Sequence, residues 1–366
     1  MKNVNRYRFL FAGGGTGGHL FPAIAVAQQI RASVPECDIL FVGTKKKIEG
    51  RVVPQMGFKF SAIWIKGFAR KFTLENFLFP LKLFVSLIQS FIINFKFKPT
   101  VSIGSGGYVA GPGLWMAKIL GSKIVLLEQN SFPGKTTKLL EKHAEQIHLS
   151  FENSIKHFAN KNKCYVTGNP IRIDIALTDK STASQKLNLD LNKKTIAIVG
   201  GSLGAKSINE AIESSLELFN KENIQLVWQT GSTYYEKYSK HESKTVKLFS
   251  FIEDIASVYS AADLVIARAG ATTIAEITTL GIASLLIPSP NVAENHQYFN
   301  AKSLVDENAA ILLEDRDLKS DFANTVLELI KNDSLLIELK KNSKKLGKPL
   351  AAEEIAKQVI ELAEKN

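Results

Sequence analysis

The chain of 366 residues has only two cysteines, three methionines and three tryptophans. Cys37 and Cys164 have neither metal-ligand spacing nor further cysteines to pair with, which excludes a disulfide framework and a zinc site and points to a reduced, cytoplasmic protein. Clusters of metal-ligating residues are lacking. Asp315-Arg316-Asp317 has a D-x-D form but falls in a polar turn beyond the last strand expected, so no metal and no other cofactor is expected. Nothing ahead of the first strand has the charged, then apolar, then small order of an export signal, so export is not expected. Helix-turn-helix and RNA-binding signatures are missing too. The formal net charge of +11 therefore favours nucleotides, phosphates or acidic lipid over nucleic acid. A long charge-free apolar run is also missing. A spanning helix needs roughly 18 to 20 such residues, and Pro80, Lys82, Gln89 and Asn94 interrupt the best candidate, at 74–97.

What is present is an alternation of strand and helix patterns, the signature of parallel α/β structure. Strands are expected near 7–12, 38–43, 101–104, 123–127 and 146–150, with helices near 20–33, 74–95, 111–120 and 134–142 between them. Breaker residues in Val166-Thr167-Gly168-Asn169-Pro170 mark a domain boundary. The pattern restarts with strands near 195–199, 225–229, 245–249, 263–267, 283–287 and 309–313, and helices near 206–221, 253–260, 271–280 and 294–306. A lysine-rich helical tail follows, from about 318 to 364. With 45% hydrophobic residues the chain can bury two cores. The expected domains are 1–169 and 170–348, with 349–366 forming a helix that returns to the first.

One device occurs twice. The apolar run Tyr7 to Phe11 leads into Gly13-Gly14-Gly15-Thr16-Gly17-Gly18-His19 and then an apolar helix; Thr195 to Val199 leads into Gly200-Gly201-Ser202-Leu203-Gly204-Ala205 and another helix. A strand, a glycine turn and a helix N-terminus present free N–H groups and a positive dipole end to an anion. Two such turns imply two nucleotide-type domains with phosphate chemistry. The first can be written G-x-G-x-x-G, but a dinucleotide site also wants an acidic residue ending the second strand. Here that strand ends in Gly43-Thr44-Lys45 and Asp38 lies at its start, which argues against a nicotinamide enzyme.

The stretch 74–97 supports two readings. Leu81, Phe84, Val85, Ile88, Ile92 and Phe95 follow helical spacing and suit an ordinary core face. Phe77, Leu78, Phe79, Leu83, Leu87 and Phe91 are too many for the same stripe, and Lys66, Arg70, Lys71, Lys82, Lys96 and Lys98 lie in or beside it. Apolar side chains among cations describe a segment lying on an anionic bilayer, each cation contributing about 1 kcal/mol. This second reading is favoured, with Phe77, Leu78, Phe79, Lys82, Leu83, Leu87 and Phe91 as the patch.

The segment Gly13 to Ala27 resembles the opening of the MurG family, the N-acetylglucosaminyltransferases that complete the lipid-linked disaccharide precursor of peptidoglycan. The resemblance continues in family order through Ser105-Gly106-Gly107-Tyr108-Val109-Ala110-Gly111-Pro112, Glu128-Gln129-Asn130, Gly168-Asn169-Pro170-Ile171-Arg172, the second glycine turn, Arg268 to Glu276, and Asn295 to Ala301. It implies a GT-B fold, two facing Rossmann-like doubly wound domains with a central cleft. The implied reaction passes N-acetylglucosamine from UDP-N-acetylglucosamine to the C4 hydroxyl of undecaprenyl-diphosphate-linked N-acetylmuramyl pentapeptide (lipid I), with inversion and without a metal.

The same resemblance implies site roles. Gly14, Gly15, Ser105, Gly106, Gly107 and Tyr108 would hold the acceptor diphosphate. Thr16, Gly17, Gly18, Asn130, Arg172, Ser202, Ile252, Ala271, Thr272, Thr273, Ile274, Ala275, Glu276 and Gln297 would bind the donor, with Glu276 on the ribose and the Ile252 backbone on the uracil. His19, at a helix start just beyond the glycines, is the candidate general base, since a neutral imidazole there can accept a proton. Orienting the glycine turn or bonding a phosphate are the other readings of His19. Further expected partners are an anionic membrane surface and other cell-wall synthesis proteins, at the cytoplasmic face of the inner membrane as a peripheral protein. Three alternatives stay open: a related transferase acting on a diacylglycerol lipid, a sugar-nucleotide 2-epimerase, and a sensor that binds UDP-sugar without turnover.

Overall fold

The structure is a computed structural model that describes residues 7–67, 78–171, 176–201 and 203–365. Two compact units emerge: Met1–Ile173 together with Pro349–Asn366, and Asp174–Lys348.

The first unit is built on β1 (Arg8–Gly13), β2 (Asp38–Gly43), β3 (Lys59–Ala62), β4 (Val101–Gly106), β5 (Lys123–Glu128), β6 (Gln146–Leu149) and β7 (Cys164–Tyr165). They form one parallel sheet in the order β3-β2-β1-β4-β5-β6-β7. Strands covered on both faces need continuous apolar runs, and Phe9, Leu10, Phe11, Ile39, Leu40 and Phe41 are all buried. Its helices are α1 (Gly17–Ser33), α2 (Ile48–Gln55), α3 (Phe79–Phe97), α4 (Ala110–Ile119) and α5 (Lys135–Leu140). The chain direction reverses across the sheet between β1 and β4, and a doubly wound sheet binds ligands at that switch point, beyond the C-terminal strand ends. Both glycine turns of this unit, after β1 and after β4, lie there.

The second unit repeats the plan. Its strands are β8 (Thr195–Val199), β9 (Gln225–Gln229), β10 (Val246–Phe249), β11 (Leu264–Ala267), β12 (Ser284–Leu286) and β13 (Ile311–Leu312), parallel in the order β10-β9-β8-β11-β12-β13. Its helices are α6 (Lys180–Lys186), α7 (Lys206–Lys221), α8 (Tyr235–Tyr238), α9 (Ile255–Ala261), α10 (Ala271–Leu280), α11 (His296–Val305), α12 (Phe322–Lys331) and α13 (Asp333–Lys345). Trp228, Tyr238, Phe219 and Phe322 are its largest fully buried side chains. The final helix, α14 (Ala351–Glu364), packs on the first unit, where Ile355, Ala356, Val359 and Ala363 join one core with Leu20, Ile24 and Ile30 of α1. Full burial of Ile355 and Val359 contributes about 1.5–3 kcal/mol each.

The helix α3 is inside out. The residues it buries are Ser86, Ser90 and Asn94, spaced one turn apart, and the Asn94 Nδ2 donates to the carbonyl oxygen of Gly113 on α4 at 3.1 Å. Small side chains let the two helix backbones approach, and the apolar residues turn outward: Phe84 is 62% exposed and Phe95 59%, with Leu78, Leu81, Ile88, Phe91 and Ile92 also exposed. This corrects two expectations. The stripe of Leu81, Phe84, Ile88, Ile92 and Phe95 is not a core face. Leu83 and Leu87, expected in the outward patch, are half-buried, and Leu83 packs against the core of the unit. Phe79 and Lys82 are half-buried as well, Lys82 lying 5.8 Å from the Trp64 ring centre; Phe77 lies outside the described residues.

Candidate active site

The first glycine turn is held from below by a carboxylate. Glu49, on α2 and 1% exposed, accepts hydrogen bonds from the Gly15 amide (3.0 Å), the Thr44 amide (3.0 Å) and the Thr44 hydroxyl (2.8 Å). A Cβ on Gly14, where φ is +151°, would fall 2.5 Å from the Glu49 carboxyl carbon, so only glycine fits. Tyr108 covers the same turn beside Gly15 and hydrogen-bonds Thr44, and its burial pushes the phenol's pKa upward.

Beyond Tyr108, the turn after β4 closes on this one through glycines. Ala12 pairs with Gly104 but Gly13 pairs with Gly106, so Ser105 is an extra residue bulging from the ladder. A Cβ on Gly107 would meet the Gly14 carbonyl oxygen at 2.7 Å, and one on Gly106 would meet the His19 ring at 2.8 Å. Ser105 itself is 1% exposed, with its hydroxyl directly beneath Gly13 and without a hydrogen-bond partner. The Ser105 side chain is therefore not open to a diphosphate, a correction to its expected role.

His19 lies in the first turn of α1, half-buried between Gly106 and Gln129, with its Nδ1 3.1 Å from the Gln129 Oε1. The first turn of α1 carries no acidic residue, and Thr16 at its start makes no side-chain cap, which leaves the dipole end open to an anion. Next to Gln129, the buried Glu128 accepts from the Asn130 amide (3.1 Å) and the Gly134 amide (3.0 Å). Burial raises the pKa of Glu128, against the opposing effect of these bonds, of Thr137 and of nearby His19. Asn130 is thus fixed by Glu128, with its Nδ2 3.5 Å from the same carboxylate.

In the second unit, the turns after β8 and β11 flank the corresponding switch point and line a cavity of about 650 Å³ with Gly200, Gly204, Ser207, Arg268, Thr273 and Gln297. Arg268 organises its floor, donating to the carbonyl oxygens of Ile287 (3.2 Å) and Pro288 (3.1 Å), to Asp315 Oδ1 (2.6 Å) and to the Ser207 hydroxyl (2.7 Å). Ser207 in turn donates to Asp315 at 2.7 Å. Asp315, in the turn expected beyond the last strand, is therefore a structural partner of Arg268. Gln297 accepts from the Ser289 amide at 2.8 Å and pins the loop after β12.

Along α10, Thr273 faces the cavity and Thr272 has a buried hydroxyl without a partner. Glu276 accepts from the hydroxyl of buried Tyr259 at 2.9 Å; burial, with the neighbouring Glu276 charge, raises the tyrosine's pKa well above its ordinary value. Ala271 is buried and Ala275 half-buried. Ile274 is corrected: its side chain is in the interior and its amide donates to Gly270, so neither is open to a ligand. The Ile252 amide N–H is likewise committed, to the Gln229 Oε1 at 3.0 Å. Arg172 and Ser202 lie outside the described residues. Glu49, Gln129, Gln229, Tyr259 and Asp315 are not among the expected site residues; the Glu128-Gln129-Asn130 block and the D-x-D string at Asp315 are the signals that point near two of them.

Two doubly wound units, each with paired glycine-bearing turns at its switch point, are the architecture of the GT-B class of glycosyltransferases. The glycosyltransferase family 28 N-terminal domain matches residues 9–149 and the C-terminal domain of the same family matches residues 195–355. The enzyme named UDP-N-acetylglucosamine--N-acetylmuramyl-(pentapeptide) pyrophosphoryl-undecaprenol N-acetylglucosamine transferase of Flavobacterium psychrophilum is 44% identical over 99% of this chain and 99% of its own. The enzyme of the same name from Christiangramia forsetii is 41% identical over 97% of each chain. The crystal structure of Acinetobacter baumannii MurG superposes with a TM-score of 0.77 at 29% identity, covering 97% of this chain and 99% of that one. The chain belongs to the MurG family of glycosyltransferase family 28.

The Glu49 arrangement has a measurable consequence. Glu49→Ala leaves the buried Thr44 amide and the half-buried Gly15 amide without an acceptor, at about 1–3 kcal/mol for the first and less for the second. Chemical denaturation should show a loss of that order for the first unit, while an unchanged midpoint would mean that the carboxylate does not hold the turn.

Proposed function

We propose that this chain transfers N-acetylglucosamine from UDP-N-acetylglucosamine to N-acetylmuramyl-(pentapeptide) pyrophosphoryl-undecaprenol, the reaction named for its relatives. The observation that carries the reading is the pair of switch-point turns in each unit, one set closing around His19 and the other around the 650 Å³ cavity. The acceptor's C4 hydroxyl oxygen forms a bond to the anomeric carbon of N-acetylglucosamine, and the bond from that carbon to the UDP oxygen breaks. The departing UDP keeps the electron pair, and the hydroxyl proton passes to His19, giving inversion in one displacement.

Charge developing on UDP is met by oriented dipoles, chiefly the first turn of α10 at Thr272 and Thr273, beside the turn after β8, whose Gly204 amide is itself spent on the Gly201 carbonyl oxygen. Glu276, aligned by Tyr259, takes the ribose hydroxyls, and Gln297 and Asn130 contact the sugar. For the uracil the Ile252 carbonyl is the group left open, since its N–H is spent on Gln229. Arg172 and Ser202 complete the donor site in this reading. Gly14, Gly106, Gly107 and Tyr108 receive the acceptor diphosphate in this reading, with Gly15 lining the turn while its amide is held by Glu49; Thr16, Gly17 and Gly18, at the N-terminus of α1, keep their reading as donor-binding residues.

The outward face of α3 supports a membrane-surface role, needed by an enzyme whose acceptor is a lipid. This 19-residue helix is long and apolar enough to cross a bilayer, but its polar seam of Ser86, Ser90 and Asn94 is packed on the protein. Lying on an anionic surface buries Phe84, Ile88 and Phe95 and leaves Lys82 and Lys96 near the headgroups. Peripheral attachment at the cytoplasmic face, beside other cell-wall synthesis proteins, is part of the proposal.

Labelled N-acetylglucosamine should pass from UDP to a short-chain lipid I analogue in the presence of EDTA, and His19→Ala should lower turnover by about 10²–10⁴-fold with donor binding retained. Donor binding without product would sink the acceptor assignment, and donor consumption without acceptor would indicate an epimerase. For the membrane face, Phe84→Ser/Ile88→Ser/Phe95→Ser should lose sedimentation with phosphatidylglycerol vesicles and keep transfer to the short-chain acceptor. Undiminished sedimentation would place the contact elsewhere.

A further inference from the structure

We infer that Gln129 is a positioning residue that fixes the tautomer of His19, placing the proton on Nδ1 and the free lone pair on Nε2. The inference rests on the reading of His19 as the base and specifies which nitrogen acts. An imidazole next to an amide can donate to its oxygen or accept from its nitrogen, so the orientation of the Gln129 amide decides the matter. That orientation is set by the chain itself: the Gln129 Nε2 donates to the Leu127 carbonyl oxygen at 3.2 Å. Turned the other way, the amide would set its own oxygen against that carbonyl. Gln129 is 3% exposed, where such an unpaired, repelling arrangement is costly. The Oε1 therefore faces His19, and at 3.1 Å it accepts the Nδ1 proton. No hydrogen-bond partner holds Nε2 among the described residues, and Gly106, packed against the ring, limits its rotation.

The charged surroundings are compatible with a nitrogen that gains a proton during turnover. Glu128, from the end of β5, is the carboxylate in electrostatic contact with His19. Glu49 from α2 and Tyr108 from the turn after β4 lie around Gly15, in the turn that leads into α1. A neutral amide at position 129 sets the tautomer without adding a further negative charge beside the ring, which a carboxylate there would do.

The test uses the full chain labelled with ¹⁵N-histidine. Long-range proton–nitrogen correlations, assigned by the loss of one signal set in His19→Gln, should show His19 as the Nδ1–H tautomer. In Gln129→Leu the population should shift toward Nε2–H, and kcat should fall about tenfold while the KM for UDP-N-acetylglucosamine stays within about twofold, since the loss is confined to proton transfer. Gln129→Glu keeps an acceptor for Nδ1–H and stabilises the imidazolium, so it should retain the tautomer and move the acidic limb of the kcat/KM profile to higher pH. An Nε2–H tautomer in the unmodified protein, or an unchanged tautomer in Gln129→Leu, would overturn the inference. A shifted tautomer with unchanged kcat would uphold it and remove His19 from the proton transfer, separating the two readings.

Discussion

Backbone meeting backbone, where β1 and β4 end side by side, is the constraint on which the first unit depends. Gly107 approaches the Gly14 carbonyl, and Gly106 approaches the His19 ring, at distances that no side chain could share. Because the turns are this close, the imidazole at the start of α1 is confined against them. Glu49 holds one turn by its amide, and the pleat of the sheet, with Ser105 displaced beneath Gly13, sets the height of the other. Dipoles fixed in this way need little reorganisation when charge develops.

The second unit answers the same topological problem with side chains. Its turns after β8 and β11 also flank a switch point, but their spacing is kept by the guanidinium of Arg268, which ties the loop after β12, Ser207 on α7 and Asp315 into one network. The pair is partly buried, and its value lies in fixing geometry, since charges removed from water return little net stability. One unit thus presents a confined imidazole and an apolar outward helix, and the other a polar cavity.

Much of this was legible in the sequence because the signals were local. Continuous apolar runs gave the buried strands, and glycine turns ahead of apolar helices gave both switch-point sites. The edge strands β3 and β7 escaped because Lys59 and the two-residue Cys164–Tyr165 pair carry no buried run. Glu49 comes just after three lysines and reads as a solvated charge; only its folded-state partners, the distant Gly15 and the nearby Thr44, reveal otherwise. The helix α3 misled by composition: a seam of Ser86, Ser90 and Asn94 is a weak signal beside so many phenylalanines, and close packing against α4 overrode the usual rule that the apolar stripe faces inward. Gln129 and Tyr259 meet His19 and Glu276 through contacts that sequence spacing does not encode.

The central claim is a division of labour, donor on the second unit's turns and acceptor diphosphate on the first unit's. Amide hydrogen exchange of the full chain, with UDP-N-acetylglucosamine alone and then with a short-chain lipid I analogue alone, tests it directly. The account predicts donor-induced protection at 270–276 and around Ile252, and acceptor-induced protection at 105–108. Protection of 105–108 by the donor with 270–276 unchanged would contradict it.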